Sequence, residues 1–238
     1  MSIADRKKRA WEERNELIIS EANTLFEQHG YLGFNLDELA EKIEYSKATI
    51  YNHFQTKEDL MVALAVEHAK LRVEFFQRAA GYVGSTRSRM NAVGVGEAAI
   101  AIRYPHGFSL AQLVSTQSIW EKASSARQMA YEKAGEAFMN IAHTIVKDAR
   151  ACGDLLETAP SDMHILFGLI SMSKGSYLME DGQQVFLKSF KLRPLDVLME
   201  NYHLFLDGVG WKPLKHDYDV EDDLKKIKHT LFSNEFSL

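Results

Sequence analysis

The chain has 238 residues, of which 46% are hydrophobic, 26% charged and 11% aromatic, the make-up of a soluble globular protein with a small domain joined to a larger one. No apolar run is long enough to span a bilayer, the basic start leads into a Glu- and Arg-studded helix pattern rather than a signal peptide, and the single cysteine, Cys152, excludes an intrachain disulfide; a reducing cytoplasm is expected. A formal net charge of −5 excludes a uniformly basic surface, so a nucleic-acid partner would have to be met by local clusters of cations.

In chain order, residues 1–11 read as a basic arm carrying Arg6, Lys7, Lys8 and Arg9. A first helix follows, with Ile18, Ala22, Leu25 and Phe26 at helical spacing and Gly30 as its C-terminal stop. Asn35 opens a short second helix, with Glu38 placed for a capping box and Leu36, Leu39, Ala40 and Ile43 facing inward. Ser46 caps a third helix whose apolar side is Ile50 and Phe54. Thr56, with Asp59 three residues on, caps a fourth whose face is Leu60, Leu64, Leu71 and Phe75. Beyond Tyr82 helices are expected over 86–103, 108–121, 124–151, 161–179, 194–207 and 219–232. Breaks fall at Pro105, Gly153, Pro160, the Gly182 region and Gly208–Gly210. Alternating strand patterns and internal repeats are lacking, so the fold class is all-α.

Residues 35–54 form a unit: two short helices joined by a tight turn at Glu44-Tyr45, sharing Leu39, Ile43, Ile50 and Phe54 beneath a covering first helix. This is a helix-turn-helix, in which the second helix projects from the surface and fits the major groove of B-DNA. Its exposed positions are Lys47, Ala48, Thr49, Tyr51, Asn52 and His53, and no acidic residue occurs from Tyr45 to Lys57. Cations, hydroxyls and an amide suit phosphates and base edges, and small Ala48 permits close approach. Lys57 sits at the first position of a helix, where the dipole disfavours a cation, which suggests a phosphate clamp.

The run from Gly30-Tyr31 through Leu39-Ala40, Ser46 and Thr49-Ile50-Tyr51-Asn52-His53-Phe54 to Lys57-Glu58-Asp59-Leu60 resembles the DNA-binding domain of TetR-type repressors, over about residues 12–70. The resemblance implies a third helix in the major groove, with Tyr51 and Lys57 on phosphates. It also implies a large helical C-terminal domain that binds a small molecule and forms a homodimer on a palindromic operator. Four positions depart from the family's pattern: Glu44 at the turn glycine, Tyr45 at the valine, and Phe34-Asn35 at the Thr-Thr pair. The expected DNA-binding set is Asn35, Ser46, Lys47, Ala48, Thr49, Tyr51, Asn52, His53 and Lys57, within a helix-turn-helix domain over 12–58. Residues 59–238 then form the helical ligand-binding and dimerisation domain.

Four motifs suggest enzymes and fail on context. Gly94-Val95-Gly96-Glu97-Ala98-Ala99 imitates a dinucleotide loop without a preceding strand, so small residues packing between helices are the better reading. Ser171-Met172-Ser173-Lys174 lacks the companion motifs of serine-lysine enzymes, and Gly107-Phe108-Ser109-Leu110-Ala111 lacks the sheet of a nucleophile elbow. The nine histidines are scattered without metal-ligand spacing. No catalytic residue, cofactor or metal is expected.

In the C-terminal part, 163–178 and 195–206 carry more than one apolar stripe, with Gly168, Ser171 and Gly175 permitting close approach. They suggest a four-helix dimer interface through Ile165, Leu169, Met172, Leu198, Tyr202 and Phe205; a monomeric core is the alternative. Phe108, Trp120, Met129, Tyr131 and Phe138 are candidate contacts for a small-molecule effector, each better suited on its own to core packing. The leading expectation is a ligand-released repressor. The alternatives are an all-helical small-molecule carrier or enzyme with a non-functional helix-turn-helix, and a regulator that acts through protein contacts.

Overall fold

The computed structural model describes residues 2–181 and 193–237, and every regular element among them is helical. The helices are α1 (Ile3–Gly33), α2 (Leu36–Lys42), α3 (Lys47–His53), α4 (Lys57–Ala80), α5 (Thr86–Arg103), α6 (Gly107–Val114), α7 (Gln117–Trp120), α8 (Ser125–Cys152) and α9 (Asp162–Asp181). After the second described stretch begins come α10 (Leu198–Gly208), a 3₁₀ turn (Lys215–Asp217), α11 (Val220–Leu231) and α12 (Ser233–Phe236). The break expected at Gly182 lies outside the described residues.

Contacts divide the chain into two units. The first takes residues up to His68 together with Leu110–Lys133; the second takes Ala69–Ser109 and the chain from Ala134 on. The sequence suggested a boundary between 58 and 59 and gave no sign that 110–133 groups with the N-terminal helices.

In the first unit α1 buries Ile18, Ala22, Leu25 and Phe26, the stripe its periodicity defines. Gly30 interrupts it with a left-handed backbone (φ 61°), and one further turn runs to Gly33. The expected basic arm is no separate segment: from Ile3 onward it is the start of α1, capped by Ser2, whose hydroxyl accepts from Asp5 N at 3.1 Å. Asn35 Oδ1 accepts from Asp37 N at 2.8 Å and starts α2, but the reciprocal half of the box is not made, because Glu38 lies 3.5 Å from His29 instead. Ser46 Oγ accepts from Thr49 N at 3.2 Å and starts α3. Leu39, Ile43, Ile50 and Phe54 are all buried together with Leu60 and Leu64 of α4.

Between α2 and α3 the chain reverses through Glu44, which holds a positive φ of 57°. That conformation costs a residue with a Cβ about 1–2 kcal/mol, partly offset in a glycine variant by the greater freedom of its unfolded chain. Glu44→Gly is therefore expected to raise stability by about 0.5–1 kcal/mol, read as a higher thermal midpoint. An unchanged or lower midpoint would show the turn relaxed in solution.

The grouping of 110–133 with the first unit has a specific anchor. Thr56 Oγ accepts from Asp59 N at 2.9 Å, as its cap position requires, and donates to Lys122 O at 3.0 Å. The buried Asp59 carboxylate accepts from Ser124 N at 2.9 Å, Ser124 Oγ at 2.7 Å and Gln55 N at 3.3 Å. Leu110, Val114, Ile119 and Ala123 then complete the core. The single helix expected over 108–121 is two, because Ser115 and Thr116 turn their hydroxyls onto Ala111 O (2.8 Å) and Leu113 O (2.7 Å) and compete with the helical ladder.

In the second unit α5 is enclosed on nearly every side, with even Arg87, Asn91 and Glu97 buried. A Cβ on Gly94 would meet Met199 and Tyr202 at 3.1 Å, and one on Gly96 would meet Phe232 at 3.2 Å, so both glycines serve close packing within a helix. α9 and α10 approach at Gly168, where a Cβ would collide with the Phe205 ring, and the Ser173 and Tyr202 hydroxyls bond one to the other. α10 begins at Leu198, not at 194, and 194–197 form turns.

Candidate nucleic-acid interface and effector cavity

α3 presents its outer side as the sequence suggests. Lys47, Ala48, Tyr51 and Asn52 are exposed, Thr49 is half-buried, and only Ile50 is sealed within the core. Tyr51 keeps 45% of its surface open to solvent. Lys47 Nζ lies 2.9 Å from Asp37 on α2, a solvent-exposed pair that contributes little and exchanges readily for a phosphate. Asn35 and Ser46 use their side chains as caps, so on the free protein they shape the two helices and do not reach outward.

Two residues of the expected set are engaged otherwise. Lys57 Nζ donates to Tyr31 O at 2.7 Å and to Phe34 O at 2.9 Å, and lies 4.3 Å from the Tyr31 ring centroid. The cation misplaced for the start of α4 is thus well placed for the C-terminal carbonyls of α1, and it joins the two elements rather than standing free as a phosphate clamp. Burial pushes the ammonium's pKa down, against a smaller opposing pull from Glu58. His53 stacks on Trp11 with centroids 4.5 Å apart, half-buried. Burial, followed by the nearby Arg14 and Arg127 cations, pushes its imidazole below the ordinary histidine value, which favours the neutral ring on the free protein. Sequence gave no signal for the Trp11 contact, which joins residues 42 positions apart.

A separate cavity of about 330 Å³ lies in the second unit. Its wall is mostly apolar, with Phe76, Met90, Val93, Phe108, Phe138, Met139, Leu166 and Ile170. Two largely buried charges face it as a pair: Arg72 Nη2 donates to Glu97 at 3.0 Å while its guanidinium lies over the Phe108 ring. Tyr177 stacks on the Phe108 ring, with centroids 3.6 Å apart, and burial pushes its phenol pKa up. Lys174 lines the cavity from an exposed position.

Of the expected effector contacts, Phe108 and Phe138 line this cavity. Trp120, Met129 and Tyr131 do not: they belong to the first unit, where the Trp120 and Tyr131 rings meet edge-on at 5.9 Å and Met129 is exposed. Arg72 and Glu97 were missed, since an isolated Arg and Glu on separate helices carry no sequence signature of pairing. Among the described residues no group of three or more His, Cys, Asp or Glu side chains could hold a metal ion, and no helix is long and apolar enough to cross a membrane.

The expected dimer contacts divide in the same way. Ile165, Leu169, Leu198 and Tyr202 are buried within the subunit, and Met172 and Phe205 pack against the same core, so they are not a free face. The open apolar side chains of these two helices are Met163, Phe167, Leu178 and Met179 on α9 and Leu204 on α10.

A short capped helix projecting from a three-helix core, in a chain built wholly of helices where described, defines a helix-turn-helix protein. Residues 18–64 match the family described as bacterial regulatory proteins, tetR family. It is 38% identical over 61 residues to the HTH-type transcriptional repressor AcnR of Corynebacterium diphtheriae, covering 26% of this chain and 32% of that protein. It is 31% identical over 81 residues to the HTH-type transcriptional activator FasR of Mycolicibacterium smegmatis, covering 34% and 36% respectively. The chain thus spans about a third of the length of each of these curated relatives.

Solved structures share the fold over most of the chain. A TetR/AcrR-family transcriptional regulator from Thermobifida fusca superposes with a TM-score of 0.63 at 23% identity, covering 82% of this chain and 98% of that one. FadR from Bacillus subtilis, a transcriptional regulator solved in complex with stearoyl-CoA, superposes with a TM-score of 0.57 at 16% identity, covering 82% and 98%.

Proposed function

We propose that the chain is a dimeric DNA-binding regulator that holds a palindromic operator as a repressor and releases it when a small apolar molecule fills the second-unit cavity. The observation that carries this reading is α3: a capped helix with Lys47, Ala48, Tyr51 and Asn52 turned to solvent and no carboxylate of its own. Repression follows the more similar of the two regulators, AcnR; the match to the activator FasR supports the opposite sign of control at the same kind of site.

The cavity supports an apolar effector. Arg72 pairs with Glu97 and Ser173 with Tyr202 on an otherwise mostly apolar wall, so affinity would come mainly from burying hydrocarbon against Phe, Met and Leu side chains, with Asn91 and Lys174 as the remaining polar groups of the lining. The stearoyl-CoA bound by FadR, in a protein of the same fold, is a molecule with such a hydrocarbon portion. α4 supplies residues to both units, and a shift in that helix would alter the spacing of two reading heads on one duplex.

Binding to duplex DNA in gel shifts tests the reading. Tyr51→Ala should weaken binding about tenfold on all sequences, the loss of one good polar contact, whereas Thr49→Ala should change which sequences are preferred. Wild-type binding by both variants would contradict the placement of α3.

A further inference from the structure

The first turns of α1 are the most cationic stretch of the chain, and one ring contact fixes where they lie. Trp11 stacks on His53, the last residue of α3, with centroids 4.5 Å apart and ring planes 21° from parallel. On a helix, positions three and four residues away share a face, which puts Lys7, Lys8 and Arg14 on the Trp11 side of α1. Arg14 acts electrostatically on His53, which agrees with that assignment. Lys7 and Arg14 have no carboxylate within 4 Å among the described residues, and Lys8 is 3.7 Å from Glu12 in a fully solvated pair.

A major groove about 12 Å wide is nearly filled by one helix, so whatever packs beside the end of that helix meets the sugar-phosphate backbone at the groove's edge. We propose that the N-terminal turns of α1 are a second DNA-contacting element, with Lys7, Lys8 and Arg14 on phosphates flanking the groove and Trp11 as the positioning residue that clamps this segment to α3. The inference rests on the reading of α3 as the groove-binding helix. Unlike a flexible basic arm, a helical segment held by a ring stack has little ordering entropy left to lose on binding.

The test is the salt dependence of binding by the full-length protein to a mixed-sequence duplex of about three helical turns. Each phosphate contact contributes about 0.9 to the slope of log Kobs against log salt concentration. The Lys7→Gln/Lys8→Gln variant should lose about 0.9 of slope for each cation removed, with an unchanged thermal midpoint because both side chains are exposed. Trp11→Ala removes no charge, yet it should lower the slope as well, and Trp11→Phe should restore it. A wild-type slope in the double-lysine variant, with Tyr51→Ala still weakening binding, would overturn this proposal and leave the α3 reading intact. A wild-type slope in Trp11→Ala would overturn the clamp. Absence of duplex binding by the wild-type chain and by every variant would overturn both.

Discussion

Arg87→Ala is expected to destabilise the protein by about 3 kcal/mol, lowering the thermal midpoint by roughly 10 °C. The Arg87 side chain is fully buried, and its guanidinium ties α5 to α10 and the turn that follows it. Nη1 donates to Trp211 O at 2.6 Å and lies 2.6 Å from Asp207, and Nη2 donates to His203 O at 3.2 Å. Trp211, itself fully buried, is held by a bond from its indole N–H to Thr86 at 3.0 Å. Removing the fork leaves two carbonyls and a carboxylate without their donor and opens a cavity against α5. The loss is placed at the lower end of the range for broken buried pairs, because the Asp207 side chain is 29% exposed and keeps the Lys215 N–H at 3.0 Å. Arg87→Lys, with the charge but not the fork, should fall between.

The same pair sets a pH dependence. Burial alone would push the Asp207 pKa up, but the Lys215 backbone N–H and the Arg87 guanidinium outweigh it, so the carboxyl is held below its ordinary value. A carboxyl with a lowered folded pKa contributes stability that is complete above the unfolded value, about 4, and is lost as pH falls through the folded one. The gap between wild type and Arg87→Ala should therefore narrow in acid below about pH 4. Chemical denaturation at pH 7 and pH 3 checks both size and sign.

If the proposed dimer forms through this face, Phe167→Glu combined with Leu204→Glu is expected to yield monomers and to weaken binding to the proposed palindrome about 100-fold or more. Both side chains are over half exposed on α9 and α10, Phe167 also edging the cavity, and a carboxylate at these positions costs the folded monomer little. Buried at a two-fold interface, the same charges would face their own copies and lose their water. Two reading heads in one dimer raise the effective concentration of the second by orders of magnitude, so separating them forfeits that gain. Sedimentation should show the change of mass, and a half-site duplex should bind wild type and variant alike. An unchanged dimer would place the interface elsewhere.

How much of this was legible in the sequence depends on how far apart the interacting residues lie. Caps are local, and Asn35, Ser46 and Thr56 each start the helix expected of them. The bounds of α5 agree with the expected 86–103 because Ser85 and Tyr104 end its pattern within the chain itself. What failed was non-local. Lys57 was read as a free cation because its partners, the carbonyls of Tyr31 and Phe34, are 26 and 23 residues away. His53 was read as a surface donor for want of Trp11.

That the residues expected at a dimer interface pack within their own subunit was hidden for a different reason. An apolar pattern shows that a helix is buried on two sides, but not which side belongs to its own subunit. Ile165 and Tyr202 took the inner side, and Phe167 and Leu204 the outer. Glu44 marks the converse case, since the family's glycine at that turn is replaced and the positive φ survives without it.

The account rests on α3 entering the groove of a specific duplex, and sequencing the genomic fragments captured by the full-length protein tests this most directly. It predicts an enriched palindrome with half-sites a whole number of helical turns apart, about 10 base pairs or a multiple, and loss of that enrichment with Tyr51→Ala. Fragments recovered without any shared motif, or the same motif recovered by Tyr51→Ala at undiminished yield, would contradict it.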